Sequence, residues 1–265
     1  MEQAEDFRAE CRALAEILMP LDDADFATIT QFKAWSVDDV IGHLHMFNVA
    51  AELTLRDGAA FRRFFAPLAA GLAQGNSLLQ MQAGFLDGLA GARLRETWLQ
   101  VAERTADQYA ASDPKLRLKW AGPDMSARSA ITARQMETWA HGQEIFDVFG
   151  IKRTETDRIR NIAHLGVQTF GWSFANRNLP VPEPPPFVEL TAPSGAIWRW
   201  GEPQTNNLVS GSAVEFAQVV TQARNIDDTT LTVRGKVASD WMRIAQCFAG
   251  PPETPPKPGT RFRQG

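Results

Sequence analysis

The chain has 265 residues, enough for two domains, and its 44% hydrophobic and 22% charged content is typical of an ordinary soluble globular protein. The formal net charge of -4 argues against nucleic acid as the main ligand, because binding a polyanion requires a basic surface. The acidic start over residues 1–6 lacks the basic region of a secretory signal, and no apolar run reaches membrane-spanning length. We therefore expect a cytoplasmic protein that does not interact with membranes.

The two cysteines, Cys11 and Cys247, stand near opposite ends of the sequence. Because neither has a close-spaced cysteine partner, they indicate neither a disulfide framework nor a thiolate zinc site. We interpret each as a small buried apolar residue. Any metal ion would then have to be bound by His and Asp or Glu side chains.

Helical patterns begin close to the N-terminus. Apolar residues recur at helical spacing over 7–19, and Pro20 ends this first predicted helix. Ser36 and Asp39 then form the capping-box pattern that opens a second helix. The sequence therefore places the start of the second helix at Ser36.

The second predicted helix carries two histidines, His43 and His45. His43 lies on the inward face among apolar residues, whereas His45 is about 200° further around the helix and points elsewhere. A histidine on an apolar face is usually a core residue with its hydrogen bonds satisfied. His43 can be interpreted as a metal ligand only if other metal-binding side chains reach it.

The helical pattern continues over 59–65 and 78–109. Gly75 and Asn76 indicate a break between these two helices, and Ser77 is a candidate cap for the second of them. Residues 116–126 read as a loop. The sequence thus predicts a long helix that ends shortly before this loop.

The stretch 134–149 combines a helical pattern with metal-binding side chains. Glu137 and His141 stand four residues apart, so they project from one helix face, one turn apart. A carboxylate and an imidazole at this spacing can hold a divalent cation if another helix supplies a third ligand. We predict that His43 is this third ligand. Glu144, one turn beyond His141, is a candidate catalytic base or an orienting group for a ligand.

A further helix is predicted over 156–176, and it contains His164. His164 is a candidate proton-transfer or outer-shell group of the metal site, with a structural hydrogen bond as the alternative role. At least four helices in this part of the chain predict a helical bundle. Bundle cores are common places for metals held by facing helices.

The composition changes at the proline-rich stretch 179–186, which cannot continue a helix. Beyond it, alternating apolar residues predict a hairpin, then a strand, a helix, a strand and a last helix. This β-β-β-α-β-α order predicts a small α+β domain. The predicted segments are strands at 187–191, 196–200, 207–211 and 229–234 and helices at 212–224 and 237–248.

These patterns divide the chain into four regions and define an α+β, two-domain fold class. They are a helical bundle over 1–178, a proline-rich linker over 179–186, a small α+β domain over 187–250 and an extended tail over 251–265.

The segment Trp35-Ser-Val-Asp-Asp-Val-Ile-Gly-His43, together with Glu137-Thr-Trp-Ala-His141, resembles the DinB-like metalloprotein superfamily, in particular the branch of mycothiol-dependent maleylpyruvate isomerase. In that family a ligand histidine follows a tryptophan by eight residues, and a Glu-x-x-x-His pair comes from a later helix. The resemblance implies an antiparallel helical bundle in which His43, Glu137 and His141 bind zinc or another divalent ion. It extends more loosely to the predicted α+β domain.

Two imidazoles and one carboxylate leave a divalent ion with net positive charge and an open position, as in catalytic zinc sites. Such an ion would ionise a bound thiol or acidify bound water. Our leading hypothesis is an enzyme that activates a low-molecular-weight thiol for transfer to, or isomerisation of, a small organic substrate; the thiol is implied by the resemblance alone. The alternatives are a hydrolase that uses metal-bound water and a non-catalytic metal- or ligand-binding protein. The apolar content is compatible with a homodimer.

Overall fold

The computed structural model describes residues 1–261. Residues 262–265, the end of the predicted tail, lie outside the described residues. The chain divides into two compact units, Met1–Val148 and a second that begins at Phe149. The first unit is mainly helical and the second contains a small sheet, which is the α+β organisation that the sequence predicts. The domain boundary at the proline-rich stretch 179–186 stays a prediction.

The first unit is built from helices and one short pair of strands. Its helices are α1 (Glu2–Leu18), α2 (Asp23–Phe26), α3 (Val37–Arg56), α4 (Gly58–Ala73), α5 (Leu78–Leu86), α6 (Gly91–Ala110) and α7 (Ala127–Val148). The strands β1 (Arg117–Leu118) and β2 (Met125–Ser126) pair in antiparallel fashion. The prediction of a plain loop over 116–126 is therefore wrong, because this connection folds back on itself as a two-residue ladder.

Within residues 1–148, helices α1, α3, α6 and α7 enclose the core. Helix α1 packs against α6 and α7, and α3 packs against the same two helices. The core includes the side chains of Phe7, Trp98 and Trp139, which are fully buried. Burying apolar surface stabilises a fold by about 25 cal/mol per Å², so this packing holds α3 and α7 in a fixed relation.

Capping signals in the sequence are confirmed at two helix starts. Ser36 caps α3 through a reciprocal capping box with Asp39, and Ser77 caps α5 through the same arrangement with Gln80. Helix α1 begins at Glu2, earlier than the apolar periodicity suggests. Its first residue has no side-chain cap, so the sequence carries no local signal for this start.

The prediction of one continuous helix over 78–109 is wrong, because two helices occupy that stretch. Helix α5 ends at Leu86, and the next residues, Asp87 and Gly88, have φ angles of 48° and 80°. A right-handed helix cannot continue through such left-handed conformations. The break allows α5 to pack on α3, where Nε2 of Gln82 donates to the carbonyl oxygen of Asp39 at 2.8 Å.

The second unit contains a four-stranded sheet with helices on it. Its elements are α8 (Arg160–Gln168), α9 (Phe170–Ala175), β3 (Phe187–Thr191), β4 (Ile197–Trp200), β5 (Leu208–Ser212), α10 (Ala213–Val220), β6 (Thr232–Arg234) and α11 (Lys236–Ile244). The strand order in the sheet is β4-β3-β5-β6. Strand β3 pairs antiparallel with β4 and parallel with β5, and β5 pairs antiparallel with β6. The predicted hairpin and the β-β-β-α-β-α order are confirmed.

The prediction of one helix over 156–176 is wrong in detail, since a short 3₁₀ turn precedes two separate helices, α8 and α9. The two helices meet at Thr169, whose hydroxyl donates to the carbonyl oxygens of Leu165 and Gly166 at 2.8 and 3.0 Å. Such side-chain bonds compete with the regular helix ladder and interrupt it.

Across residues 1–261 there is no helix with both the length and the apolar character that spanning a bilayer requires.

Candidate metal centre

His43 is held in place by the start of its own helix. The hydroxyl of Ser36 accepts the backbone N–H of Asp39 at 3.1 Å, and the Asp39 carboxylate accepts the backbone N–H of Ser36 at 2.8 Å. This box fixes the first turn of α3, and His43 follows two turns later with only 7% of its surface exposed. The imidazole is therefore carried by a well-anchored buried helix.

The structure brings together the three residues that the sequence predicts as ligands. Glu137 and His141 project from α7 one turn apart, and His43 reaches them from α3. One donor atom from each of the three side chains lies within 4.8 Å of the others. In the described part of the chain, no other group of three or more His, Cys, Asp or Glu side chains meets in this way.

The distances within this cluster fit a divalent ion. Nε2 of His43 lies 3.1 Å from Oε2 of Glu137. Two ligands at about 2.0–2.1 Å from a tetrahedral ion are about 3.3 Å apart, so this pair already has suitable spacing. Donors up to 4.8 Å apart would have to close by at most about 1.5 Å, which a side-chain rotation can supply. The residues present are thus compatible with a zinc-type site.

A buried arginine, Arg134, adjoins the cluster and was not singled out from the sequence. Its Nη1 donates to Oε2 of Glu137 at 3.1 Å, the oxygen that faces His43. On the other side, its Nε donates to Oδ1 of Asn48 at 3.0 Å, and its Nη2 donates to the carbonyl oxygen of Leu44 at 3.3 Å. The position of Arg134 three residues before Glu137, on the same helix face, is the signal that could have identified it.

The charge of Arg134 decides the protonation state of Glu137. Burial by itself raises the pKa of the Glu137 carboxyl group. The positive charge of Arg134, and the hydrogen bond and charge of His43, outweigh this effect and hold the pKa well below its usual range. Glu137 is therefore a carboxylate at neutral pH, which is the form that binds metal ions.

Aromatic rings surround the two histidines. The ring of Trp35 is nearly parallel to that of His141, with centroids 6.1 Å apart and an interplanar angle of 9°. Phe32 meets the edge of His141 at 4.9 Å, and Phe47 packs on His43 at 4.8 Å. The second ring nitrogen of His43, Nδ1, is buried without a hydrogen-bond partner among the described residues. The imidazole of His43 is therefore oriented by ring packing and by its contact with Glu137.

The remaining histidines and Glu144 lie outside the cluster of three. Glu144 is buried in α7 with 3% exposure. His45 packs against Phe85, and burial, followed by the charge of Arg104, lowers its pKa to about 4. His164 belongs to the second unit, where its Nδ1 accepts a hydrogen bond from Nε1 of Trp200 at 3.1 Å. The catalytic roles of Glu144 and His164 stay predictions.

Both cysteines are buried. Burial, partly offset by a contact with the hydroxyl of Thr138, raises the pKa of the Cys11 thiol far above its usual value. A thiol in this state is a poor nucleophile. Cys11 therefore has the packing role that the sequence predicts.

The fold and the cluster together define the class: an α+β protein whose helical region brings two histidines and a glutamate together. The family model described as "Mycothiol maleylpyruvate isomerase N-terminal domain" matches residues 7–146, which is more than half of the chain. The chain belongs to this family, within the maleylpyruvate isomerase branch of the DinB-like proteins that the sequence motifs indicate.

The chain is also similar to two proteins of nearly the same length and to two solved structures. The chain is 37% identical over 247 residues to the uncharacterized proteins MT0041 and Rv0036c from two strains of Mycobacterium tuberculosis, covering 93% of this chain and 95% of each relative. Crystal structures of mycothiol-dependent maleylpyruvate isomerase and of a histidine-to-alanine mutant have TM-scores of 0.53 and 0.54 to this chain. These alignments cover 82% of this chain and 87% of the other, at 15% identity, so they establish a shared fold.

Proposed function

We propose that the protein is a divalent-metal-dependent enzyme that activates a low-molecular-weight thiol, with mycothiol as the first candidate. The activated thiol is transferred to a small organic substrate or promotes the isomerisation of that substrate. The observation that carries this proposal is the convergence of His43, Glu137 and His141 within 4.8 Å. Membership of the mycothiol maleylpyruvate isomerase family is the reason for expecting a thiol cofactor and a small-molecule substrate.

In this proposal the two imidazoles and the Glu137 carboxylate hold the ion; this donor set suits zinc, which is the first candidate, and also non-haem iron. The ion, when bound, would lower the pKa of a thiol that reaches it, so that a thiolate forms near neutral pH. The side chains around the site have separate tasks. Trp35 and Phe32 pack on His141 and limit the access of water to its ring, which strengthens charge interactions there.

Proton transfer is assigned to the residues that the sequence predicts for it. Glu144 would act as the base or orient a ligand, and a proton-transfer role for His164 stays a prediction from the sequence. These roles predict that Glu144→Gln lowers turnover while the protein still binds metal. A Glu144→Gln variant with full turnover would remove Glu144 from the mechanism.

The metal part of the proposal is tested by elemental analysis of the purified protein. We expect one divalent ion per chain in the wild type and much less in His43→Ala, Glu137→Ala and His141→Ala. The matched control is His45→Asn, which removes the other buried histidine of α3 and should leave the metal content unchanged. Full metal content in all three cluster variants would refute the site.

The thiol part is tested with the cobalt-substituted protein. Titration with mycothiol should produce a thiolate-to-cobalt charge-transfer band that glutathione or bacillithiol produces less readily. Mycothiol should also support isomerisation of maleylpyruvate or a similar unsaturated acid. A metal-loaded protein that gives no thiolate band with any of these thiols would refute thiol activation and favour the hydrolase alternative.

A further inference from the structure

The most deeply buried charge next to the candidate metal centre belongs to Arg134. Its side chain is 1% exposed, whereas that of its partner Glu137 is 26% exposed. The guanidinium thus contacts the carboxylate from the protein interior, and the carboxylate keeps a face toward the outside.

The guanidinium is fixed from several directions. Each of its three nitrogens donates to a different group: Nη1 to the carboxylate of Glu137, Nε to Asn48 and Nη2 to the carbonyl oxygen of Leu44. In addition, the guanidinium carbon lies 5.9 Å from the centre of the Phe47 ring. Because the guanidinium is planar and its donors have fixed directions, these contacts together leave it little freedom to rotate.

Three of these contacts, those with Asn48, Leu44 and Phe47, connect different helices. Arg134 and Glu137 belong to α7, whereas Asn48, Leu44 and His43 belong to α3. Arg134 therefore joins the carboxylate of α7 to the helix that carries His43. The oxygen that receives Nη1 of Arg134 is Oε2, which also faces Nε2 of His43. The arginine thus holds this oxygen at the meeting point of the two ligand-bearing helices.

We propose that Arg134 is a positioning residue of the metal centre, which fixes the Glu137 carboxylate against α3 so that the ligands from both helices are in place before the ion binds. This inference rests on the proposed metal site. Outer-shell partners of metal ligands act in this way, and their loss typically lowers metal affinity by about 10–100-fold.

Two effects of Arg134 on metal affinity oppose each other. Its positive charge repels a cation, so loss of the charge alone would strengthen metal binding. Its hydrogen bonds orient the ligand, so loss of the geometry weakens metal binding. For a positioning residue the geometric effect is the larger one, so that loss of Arg134 weakens metal binding. If Arg134 were only a countercharge, its loss would strengthen metal binding.

The test compares Arg134→Gln and Arg134→Lys with the wild type in their zinc dissociation constants, measured by competition with a chromophoric chelator. We expect Arg134→Gln to weaken zinc binding by about 10–100-fold. Arg134→Lys keeps the charge but loses the planar fork, so it should also weaken binding. The visible absorption of the cobalt-substituted variants should change as well, because it reports the ligand geometry around the ion.

Two further variants keep the test decisive. Tyr109→Phe removes a buried hydrogen bond of 3.0 Å to the Ala51 carbonyl oxygen on α3 and none of the hydrogen bonds of Arg134, and it controls for a general loss of stability. Asn48→Ala removes one partner of Arg134 without touching the cluster, and it replaces Arg134→Gln if that variant does not fold. We expect unchanged zinc affinity in Tyr109→Phe and a smaller but measurable weakening in Asn48→Ala.

The outcomes separate this inference from the proposed function. A wild-type protein that binds no divalent ion stoichiometrically would overturn the proposed function, and the positioning role with it. A wild type that binds zinc, with Arg134 variants that bind it equally or more tightly, would overturn the positioning role alone. Equal weakening in Tyr109→Phe and Arg134→Gln would also overturn it, because the effect would then follow stability.

Discussion

The imidazole of His43 and the carboxylate of Glu137 lie 3.1 Å apart although 94 positions of the chain separate the two residues. Each is carried by a long helix, α3 or α7, and the contact depends on how these helices pack in the first unit. This carboxylate–imidazole contact joins two sequence motifs, one on each helix, into the candidate metal centre.

Replacement of this carboxylate by an amide should affect both metal binding and stability. Glu137→Gln keeps the shape but loses the charge, so we expect zinc affinity to fall by more than about 100-fold, beyond the loss typical of outer-shell variants. The metal-free protein should lose about 2 kcal/mol of unfolding free energy, because the buried charge of Arg134 loses its partner. Chelator competition and urea denaturation measure the two effects.

The matched control for this substitution is Glu52→Gln. Glu52 lies on α3, the helix that carries His43, and it pairs with the half-exposed side chain of Arg104 at 2.7 Å. Glu52 is only 13% exposed and its pair is bidentate, but the guanidinium of Arg104 is 55% exposed and stays solvated when the pair is lost. The unfolding free energy should therefore change by about 1 kcal/mol at most, and zinc affinity should change little. Equal effects of the two substitutions would contradict a special role for the Glu137 carboxylate.

The cap of α3 should contribute to stability without taking part in metal binding. Ser36→Ala removes the acceptor for the backbone N–H of Asp39, and we expect the unfolding free energy to fall by about 1 kcal/mol. The metal content should stay at the wild-type level, since His43 lies two turns inside the helix. The comparison is Ser77→Ala, which removes the equivalent cap of the short helix α5. An unchanged denaturation midpoint for Ser36→Ala would show that the capping box of α3 does not stabilise the fold.

An ion-pair network between α1 and α6 should make stability depend on pH. The hydrogen bonds from Arg12, and then those from Arg8, lower the pKa of Glu103 against the opposing effect of burial. A carboxyl group with a lowered pKa in the folded state stabilises the fold above its unfolded pKa, and this contribution is lost as pH falls through the folded pKa. Because Glu103 is 29% exposed, solvent screening limits the contribution to about 1 kcal/mol.

Glu103→Gln should accordingly lower the unfolding free energy at pH 7 and match the wild type near pH 3. Denaturant titrations at a series of pH values measure this difference. Glu96→Gln on the same helix is the control, because Glu96 is 64% exposed and should give no difference at either pH. A destabilisation by Glu103→Gln of the same size at pH 3 and pH 7 would argue against the ionic origin.

A glycine in the second unit should not tolerate a side chain. Gly235 precedes α11 with a φ of 88° and a ψ of 154°, a conformation that is almost restricted to glycine. A Cβ atom there would collide with the carbonyl oxygen of Asn206 and lie 3.1 Å from Cα of Asn207. We expect Gly235→Ala to lower the unfolding free energy by about 3 kcal/mol or more, because strain and collision add together.

Gly195 separates these two effects. It also has a φ of 88°, but an added Cβ would meet nothing within 4 Å. Gly195→Ala should therefore cost only the backbone strain, about 1–2 kcal/mol. Thermal denaturation of both variants gives the comparison, and equal losses would mean that the neighbouring backbone moves aside at Gly235.

The break between α5 and α6 at residues 87–88 is a feature that the apolar periodicity of the sequence does not predict. Apolar residues continue at helical spacing on both sides of it, so the periodicity predicts a single helix. The structure instead has left-handed φ angles at Asp87 and Gly88, and this Asp-Gly pair is a turn signal that the apolar periodicity does not include. The packing of α5 on α3 favours the two separate helices, and this packing has no local signature in the sequence.

Features that depend on neighbours along the chain could be predicted from the amino-acid pattern. The capping box at Ser36 follows from a three-residue spacing, and the common face of Glu137 and His141 follows from 3.6 residues per helical turn. The same geometry could have indicated Arg134, although it could not show that Asn48 and Leu44 would be its partners.

The contact of His43 with Glu137 and His141, and the buried guanidinium of Arg134 beside Glu137, depend on how the helices pack in three dimensions. Helix geometry fixes distances over a few residues, whereas the distance between two helices results from the packing of side chains contributed by the whole core. For this reason the ligand residues could be named from the sequence, but their convergence and its support by Arg134 required the fold.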